Sequence, residues 1–213
     1  MLKDVESHRI VQGYDTYSQA YQDLFVRLML DFKRDGIYVE IGASEPKQSN
    51  NTYILESDLN WKGFSLEIDS KLTDEFNLVR SNKCICEDAT KFNFKDAFVK
   101  NGYPSRIDYL SLDIDPASVT FTALKNLPLS EYRFSVITYE HDNYTSGPEF
   151  MLKSREVLEK HGYVRVVSNV LCCGRDFEDW YVDATHIPIH KYRGLIQEKI
   201  ECNEIFSSIG AKK

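Results

Sequence analysis

Apolar positions along this chain change period repeatedly, from the runs and alternation of strands to the three-and-four spacing of helices. Tyr21, Leu24, Phe25, Leu28, Met29 and Phe32 share one face of a helix predicted over "QAYQDLFVRLMLDFKR", with Ser18 as its cap and Asp35-Gly36 as its stop. "IYVEI" then reads as a short buried strand, "NTYILESDLN" as a helix and "GFSLEID" as a strand. "KLTDEFNLVRS" (helix), "KCICED" (strand), "NFKDAFVKNG" (helix) and "IDYLSLDID" (strand) continue the alternation. "SVTFTALKNL" (helix) and "FSVITYEHD" (strand) follow. "PEFMLKSREVLEKHG" is a strong helix with proline at its start and glycine at its end. "YVRVVSNVLCC" and "FEDWYVD" are two strands around a polar turn containing Gly174, an antiparallel hairpin.

Strand–helix units followed by a hairpin predict an α/β fold. It is one doubly wound, Rossmann-like sheet, mostly parallel, with an antiparallel C-terminal hairpin at its edge. Residues 1–213 read as a single domain, with a helical extension over 1–35, the sheet core over 36–186 and a helical tail over 187–213. The tail packs on the sheet or on a second subunit. Whether the chain is whole or a domain of a larger protein stays open.

Such sheets hold ligands at the carboxyl ends of their strands. Those ends carry Glu40-Ile41-Gly42, Glu67-Ile68-Asp69, Glu87-Asp88, Asp113-Ile114-Asp115 and Glu140-His141-Asp142-Asn143. Every parallel strand ends in an acid, more than the solvation of turns requires, so a lined site is expected. Its first loop has one glycine, Gly42, where a pyrophosphate would need several glycines and free N–H groups. Pro46 offers no N–H, and Glu45 adds negative charge. The loop suits a cofactor without phosphate and with a cationic amino group, which Glu40 would attract. S-adenosylmethionine has both properties. Glu67 lies 25 residues after Gly42, where a carboxylate accepts both ribose hydroxyls. Asp88 is placed for the adenine amino group, with Ala89 beside the ring.

"SQAYQDLFV", "YVEIGASEPKQSNNTYILE", "WKGFSLEID", "CEDAT" and "IDYLSLDID" together resemble the FkbM-type S-adenosylmethionine-dependent methyltransferases, in order over Tyr17 to His186. The resemblance implies a class I methyltransferase fold. It implies cofactor contacts at Glu40, Gly42, Ala43, Asn51, Thr52, Glu67, Ile68, Asp88 and Ala89. It also implies an acceptor hydroxyl, here expected on a sugar such as a deoxyhexose, carried by a glycan or a glycosylated small molecule. One departure stands out. The family often continues its fourth strand with acid, glycine, acid, whereas Asp115 is followed by Pro116-Ala117-Ser118. That alters the turn beside the acceptor.

Methylating a hydroxyl requires alignment and removal of its proton. Two schemes fit the strand ends. In one, Asp113 or Asp115 acts with Asp142 and Asn143 to bind Mg²⁺, which acidifies the hydroxyl. In the other, His141 is the general base. Trp180 and His186 are expected against the sugar. Alternatively, Trp180 and Tyr181 alternate across an edge strand, one in the core and one exposed.

Composition narrows the partners. Apolar residues make up 42% and charged residues 28%, with a net charge of −7. A nucleic-acid partner would need a basic face, so none is expected. No run has the length of a membrane span and no signal-peptide core is evident, so a cytoplasmic protein is expected. The five cysteines are odd in number and lack a CxxC, which reads as reduced thiols. Two rival readings are a nicotinamide-dependent oxidoreductase, which lacks its phosphate turn, and an inactive ligand-binding module of the same fold.

Overall fold

The computed structural model describes residues 9–11 and 13–207. Residues 1–8 and 12 of the expected extension and 208–213 of the expected tail lie outside the described residues. A ribbon of β1 (Arg9–Val11) and β2 (Tyr14–Thr16) precedes α1 (Gln22–Met29). The alternating core is β3 (Ile37–Ile41), α2 (Tyr53–Leu59), β4 (Lys62–Glu67), α3 (Ser70–Val79), β5 (Lys83–Cys86), α4 (Phe94–Lys100), β6 (Arg106–Leu112), α5 (Ala117–Asn126) and β7 (Arg133–Glu140). Then come α6 (Asn143–Ser146), α7 (Pro148–Lys160), β8 (Tyr163–Cys172), β9 (Arg175–Asp183), α8 (Ile189–Tyr192), a 3₁₀ turn (Arg193–Leu195) and β10 (Gln197–Glu198).

The eight-stranded sheet has the order β10-β8-β9-β7-β6-β3-β4-β5. β3 to β7 are mutually parallel, and β9 runs antiparallel to both β7 and β8. The expected α/β sheet with an antiparallel hairpin is therefore present. Successive side chains point to opposite faces. Tyr38, Tyr109, Val136 and Trp180 enter the core under α1 and α2, while Val39, Leu110, Ile137 and Tyr181 enter the core under α4, α5 and α7. The apolar runs are continuous because both faces are covered.

Three expectations are corrected. The first helix is shorter than its periodicity suggests: Ser18 does not cap it, and it ends at Met29. Ser18 lies in an extended segment bridged to Ser49, with its hydroxyl donated to Asp23 Oδ1 at 2.9 Å. Phe32 leaves the helix at φ 53° and stacks on Tyr14 of the ribbon, 5.2 Å between centroids. Among the described residues, the tail is a short turn of helix leading to β10, which pairs parallel with β8, and not the expected helix. The hairpin's second strand is not an edge, since β9 lies between β7 and β8.

Candidate functional site

The chain leaves β3 for β4 on one side and returns to β6 on the other, so the switch in strand order falls between β3 and β6. There the two strand ends are bonded, with Asp113 N–H donating to Ile41 O at 2.9 Å. Gly42 sits against this junction at φ 89°, and a Cβ on it would lie 1.7 Å from Asp113 O. The glycine thus serves the close approach of β6. The loop's first donors are already used: Gly42 and Ala43 N–H both donate to Leu66 O, and Ser44 N–H donates to Glu67 Oε2 at 3.0 Å.

A cleft of about 860 Å³ opens over the carboxyl ends of β3 to β7. Of the expected cofactor contacts, Glu40, Gly42, Ala43, Asn51, Glu67, Ile68, Asp88 and Ala89 line it. Ile68, 71% exposed, and Ala89 are apolar members of the cleft lining. Glu67 is oriented by two backbone donors, Ser44 N–H on one oxygen and Asp69 N–H on the other, both at 3.0 Å. Asp88 accepts from Thr90 and pairs with exposed Lys91 at 2.8 Å; hydrogen bonds from Lys91 and Thr90 hold its carboxyl at about 2.

Thr52 and Glu40 differ from expectation. Thr52 is fully buried behind the cleft wall and donates to Glu40 Oε2 at 3.1 Å. Glu40 is 1% exposed and also accepts from Ser65 at 2.7 Å; burial, outweighing the pull of Arg80, pushes its carboxyl up to about 7. It is a wall of the site and not a free anion. Arg80, unforeseen from sequence, organises this wall. Its buried guanidinium donates to Glu56 Oε2 (2.8 Å), Asn50 Oδ1 (2.9 Å), Pro46 O (2.9 Å) and Thr52 Oγ1 (3.0 Å). Asn50 in turn donates to Ala43 O and Glu45 O, so the loop hangs from one arginine.

At the other end of the cleft, Asp113, Asp115, Glu140 and Asp142 converge, with Tyr144, Phe177 and Gln19 beside them. Oxygens of Asp115, Glu140 and Asp142 lie within 4.8 Å of one another. Burial pushes the Asp113 carboxyl up and, with Asp113 beside it, the Glu140 carboxyl well up. Burial and then Asp115 push the Asp142 carboxyl up to about 7. Glu140 ends β7 and was visible as a strand-end acid; its partnership was not.

The other expected groups are not brought here. His141 is fully buried outside the cleft lining, with Nδ1 accepting Asn143 N–H at 3.2 Å and Nε2 3.5 Å from Asp179 Oδ1. It cannot reach an acceptor. Asn143 turns away to donate to Asp176 Oδ2 at 2.6 Å. Trp180 is buried between Phe25 and Phe206 and donates to Glu178, and Tyr181 is buried on the opposite face, so neither is exposed. His186 follows Asp183, which pairs with Arg133 at the amino end of β7. The antiparallel course of β9 therefore carries it to the far end of the sheet from the cleft.

Among the described residues, the five cysteines are free thiols, and no helix is long and apolar enough to cross a membrane.

No protein-family model matches the sequence, and no curated protein matches it. Solved structures do match in fold. An rRNA methylase from Streptococcus thermophilus superposes with a TM-score of 0.50 at 9% identity, over 75% of this chain and 94% of that one. Aeropyrum pernix fibrillarin, in complex with natively bound S-adenosyl-L-methionine, superposes with a TM-score of 0.52 at 16% identity, over 85% of this chain and 84% of that one. The sheet order and these neighbours show the fold: a Rossmann-like α/β sheet, as in these methylase and fibrillarin structures.

Proposed function

We propose that this protein is an S-adenosylmethionine-dependent methyltransferase whose acceptor is a hydroxyl of a sugar, on a glycan or a glycosylated small molecule. The observation that carries the first part is Glu67. Its carboxylate stands on the cleft wall at the end of β4, held by two backbone donors, an arrangement suited to accepting hydrogen bonds from a ribose diol. Ile68 and Ala89 offer apolar surface for an adenine ring, and Asp88 an acceptor for its amino group. Fibrillarin of the same fold binds this cofactor, which supports the assignment. A pyrophosphate cofactor is disfavoured because the N–H groups of Gly42, Ala43 and Ser44 are already spent.

When bound, S-adenosylmethionine supplies an electrophilic methyl on a sulfonium. The chain's residues do the rest. The carboxylates at the ends of β6 and β7 favour positive charge in the cleft. Asp113, next to the switch point, accepts the proton of the acceptor hydroxyl as the O–C bond forms and the S–C bond breaks, its electron pair staying on sulfur. With His141 enclosed, the base role falls to this carboxylate.

The acceptor class rests on charge. Besides the buried acids whose carboxyls are pushed up, Glu45, Glu67, Glu87, Asp88 and Asp115 line the cleft, and among the described residues none of the lining is Lys, Arg or His. Phosphate-rich acceptors are repelled by such a wall, which favours a neutral polyol over nucleic acid. Incubation with labelled S-adenosylmethionine and panels of glycosides, amines and RNA tests this. Label transfer to a glycoside alone is expected; transfer to RNA or amines would overturn the acceptor assignment.

A further inference from the structure

We propose that Cys172 and Cys202 form a redox-active dithiol, which a peroxide closes into a disulfide that staples the tail to β8. The pair lies outside the cleft and does not rest on the methyl-transfer reading.

Register brings the two thiols together. Beyond β10 the tail continues along β8: Lys199 N–H donates to Ser168 O, Leu171 N–H to Ile200 O and Cys202 N–H to Leu171 O, each at 2.8 Å. Leu171 and Glu201 form a parallel bridge. Cys172 and Cys202 are the next residue on each side, so both side chains leave the same face of the sheet. Both enter the core under α1, 3% and 6% exposed. Neighbouring strands lie about 4.8 Å apart, within the roughly 4.4–6.8 Å that a disulfide spans between Cα atoms. The two thiols are hydrogen-bonded to each other. Cys84 and Cys86 lie on β5, at the opposite edge of the sheet, and do not compete for either partner.

The partners are not equivalent. The hydrogen bond from Cys172 holds the Cys202 thiol down and pushes the Cys172 thiol up. The Arg9 charge lowers Cys202 further, against its burial. Arg9 is anchored there by Ser18 O, which accepts from Nη2 at 2.7 Å, and by the Tyr21 ring, 4.1 Å from its guanidinium carbon. The thiolate is the nucleophile, so Cys202 attacks. Its sulfur takes one oxygen of hydrogen peroxide as the O–O bond breaks, and hydroxide leaves. Cys172 sulfur then displaces the hydroxyl of this sulfenic acid, the S–S bond forms, and the Cys172 proton leaves in water. The two thiols lose two electrons together, and one peroxide becomes two waters. The bridge fixes the segment that carries Phe206, whose ring stacks on Trp180 at 6.1 Å and meets Tyr21 edge-on at 6.5 Å.

Peroxide treatment of the reduced protein, followed by alkylation, digestion and mass spectrometry, tests the assignment. A Cys172–Cys202 link is expected, with Cys84 alkylated and the link reversed by dithiothreitol. The link should persist in Cys86→Ser/Cys173→Ser, which removes the exposed thiols. In that variant the urea midpoint should rise on oxidation and return on reduction. Adding Cys202→Ser should abolish both the link and the rise while leaving the reduced midpoint close to its parent's. Cys172 and Cys202 both alkylated after peroxide, or linked only through Cys173, overturns the dithiol. A link that leaves the urea midpoint unmoved overturns the stapling of the tail.

Discussion

The backbone oxygen of Asp113 occupies the space where a Cβ on Gly42 would stand, 1.7 Å away. One residue follows the first core strand and the other the fourth, so the contact joins the one-glycine loop to the acid-rich end of the cleft. Gly42→Ala must either part β3 from β6 or distort the loop. Its φ of 89° adds strain of its own. A loss of roughly 1–3 kcal/mol is expected in urea denaturation, with weakened S-adenosylhomocysteine binding. Unchanged midpoint and affinity would show that the junction yields easily.

Glu67→Ala removes a charged acceptor and frees the N–H groups of Ser44 and Asp69. Hydrogen bonds to a charged group are worth roughly 1.5–3 kcal/mol, so affinity for S-adenosylhomocysteine should fall by about ten- to a hundredfold. Glu67→Gln, which keeps one acceptor oxygen, should fall between. Wild-type affinity in the alanine variant would take Glu67 away from the ribose.

Asp113→Asn keeps the size of the side chain and removes its capacity to take a proton. S-adenosylhomocysteine affinity should hold, while single-turnover methyl transfer drops on the order of a hundredfold or more. Near-normal transfer would place the base elsewhere.

Glu40 makes the pH dependence specific. Its carboxyl is raised from 4.5 to about 7, chiefly by burial. A carboxyl raised on folding binds its proton more tightly in the native state. Its stabilisation is full below about 4.5 and is lost as pH rises through about 7. The span corresponds to about 3 kcal/mol. Wild-type stability should fall between pH 5 and pH 8 by more than that of Glu40→Gln, read as the difference between their urea midpoints. Parallel pH profiles would mean that Glu40 stays charged beside Arg80.

The strand–helix alternation was legible because burial on both faces writes continuous apolar runs such as "IYVEI", and the strand-end rule led directly to Glu67, Asp88 and Asp113. What it missed has physical causes. The periodicity of Phe32 belonged to packing on the ribbon and not to the helix. Arg80 gave no signal, since a buried arginine is defined by partners distant in sequence: Pro46, Asn50, Thr52 and Glu56. His141 looked like a base and His186 like a sugar contact, but sequence does not reveal that the first is sealed between β7 and β9. Nor does it reveal that the other rides an antiparallel strand to the far end of the sheet. Asn143, expected beside Asp142, is turned away because a sharp turn at Asp142, φ 45°, sends the following side chain toward Asp176.

The central claim is that this cleft holds S-adenosylmethionine, and isothermal titration of the purified protein with S-adenosylhomocysteine tests it most directly. One site with a Kd on the order of micromolar, weakened in Glu67→Ala, is the predicted result. No heat of binding, with or without Mg²⁺, would contradict it.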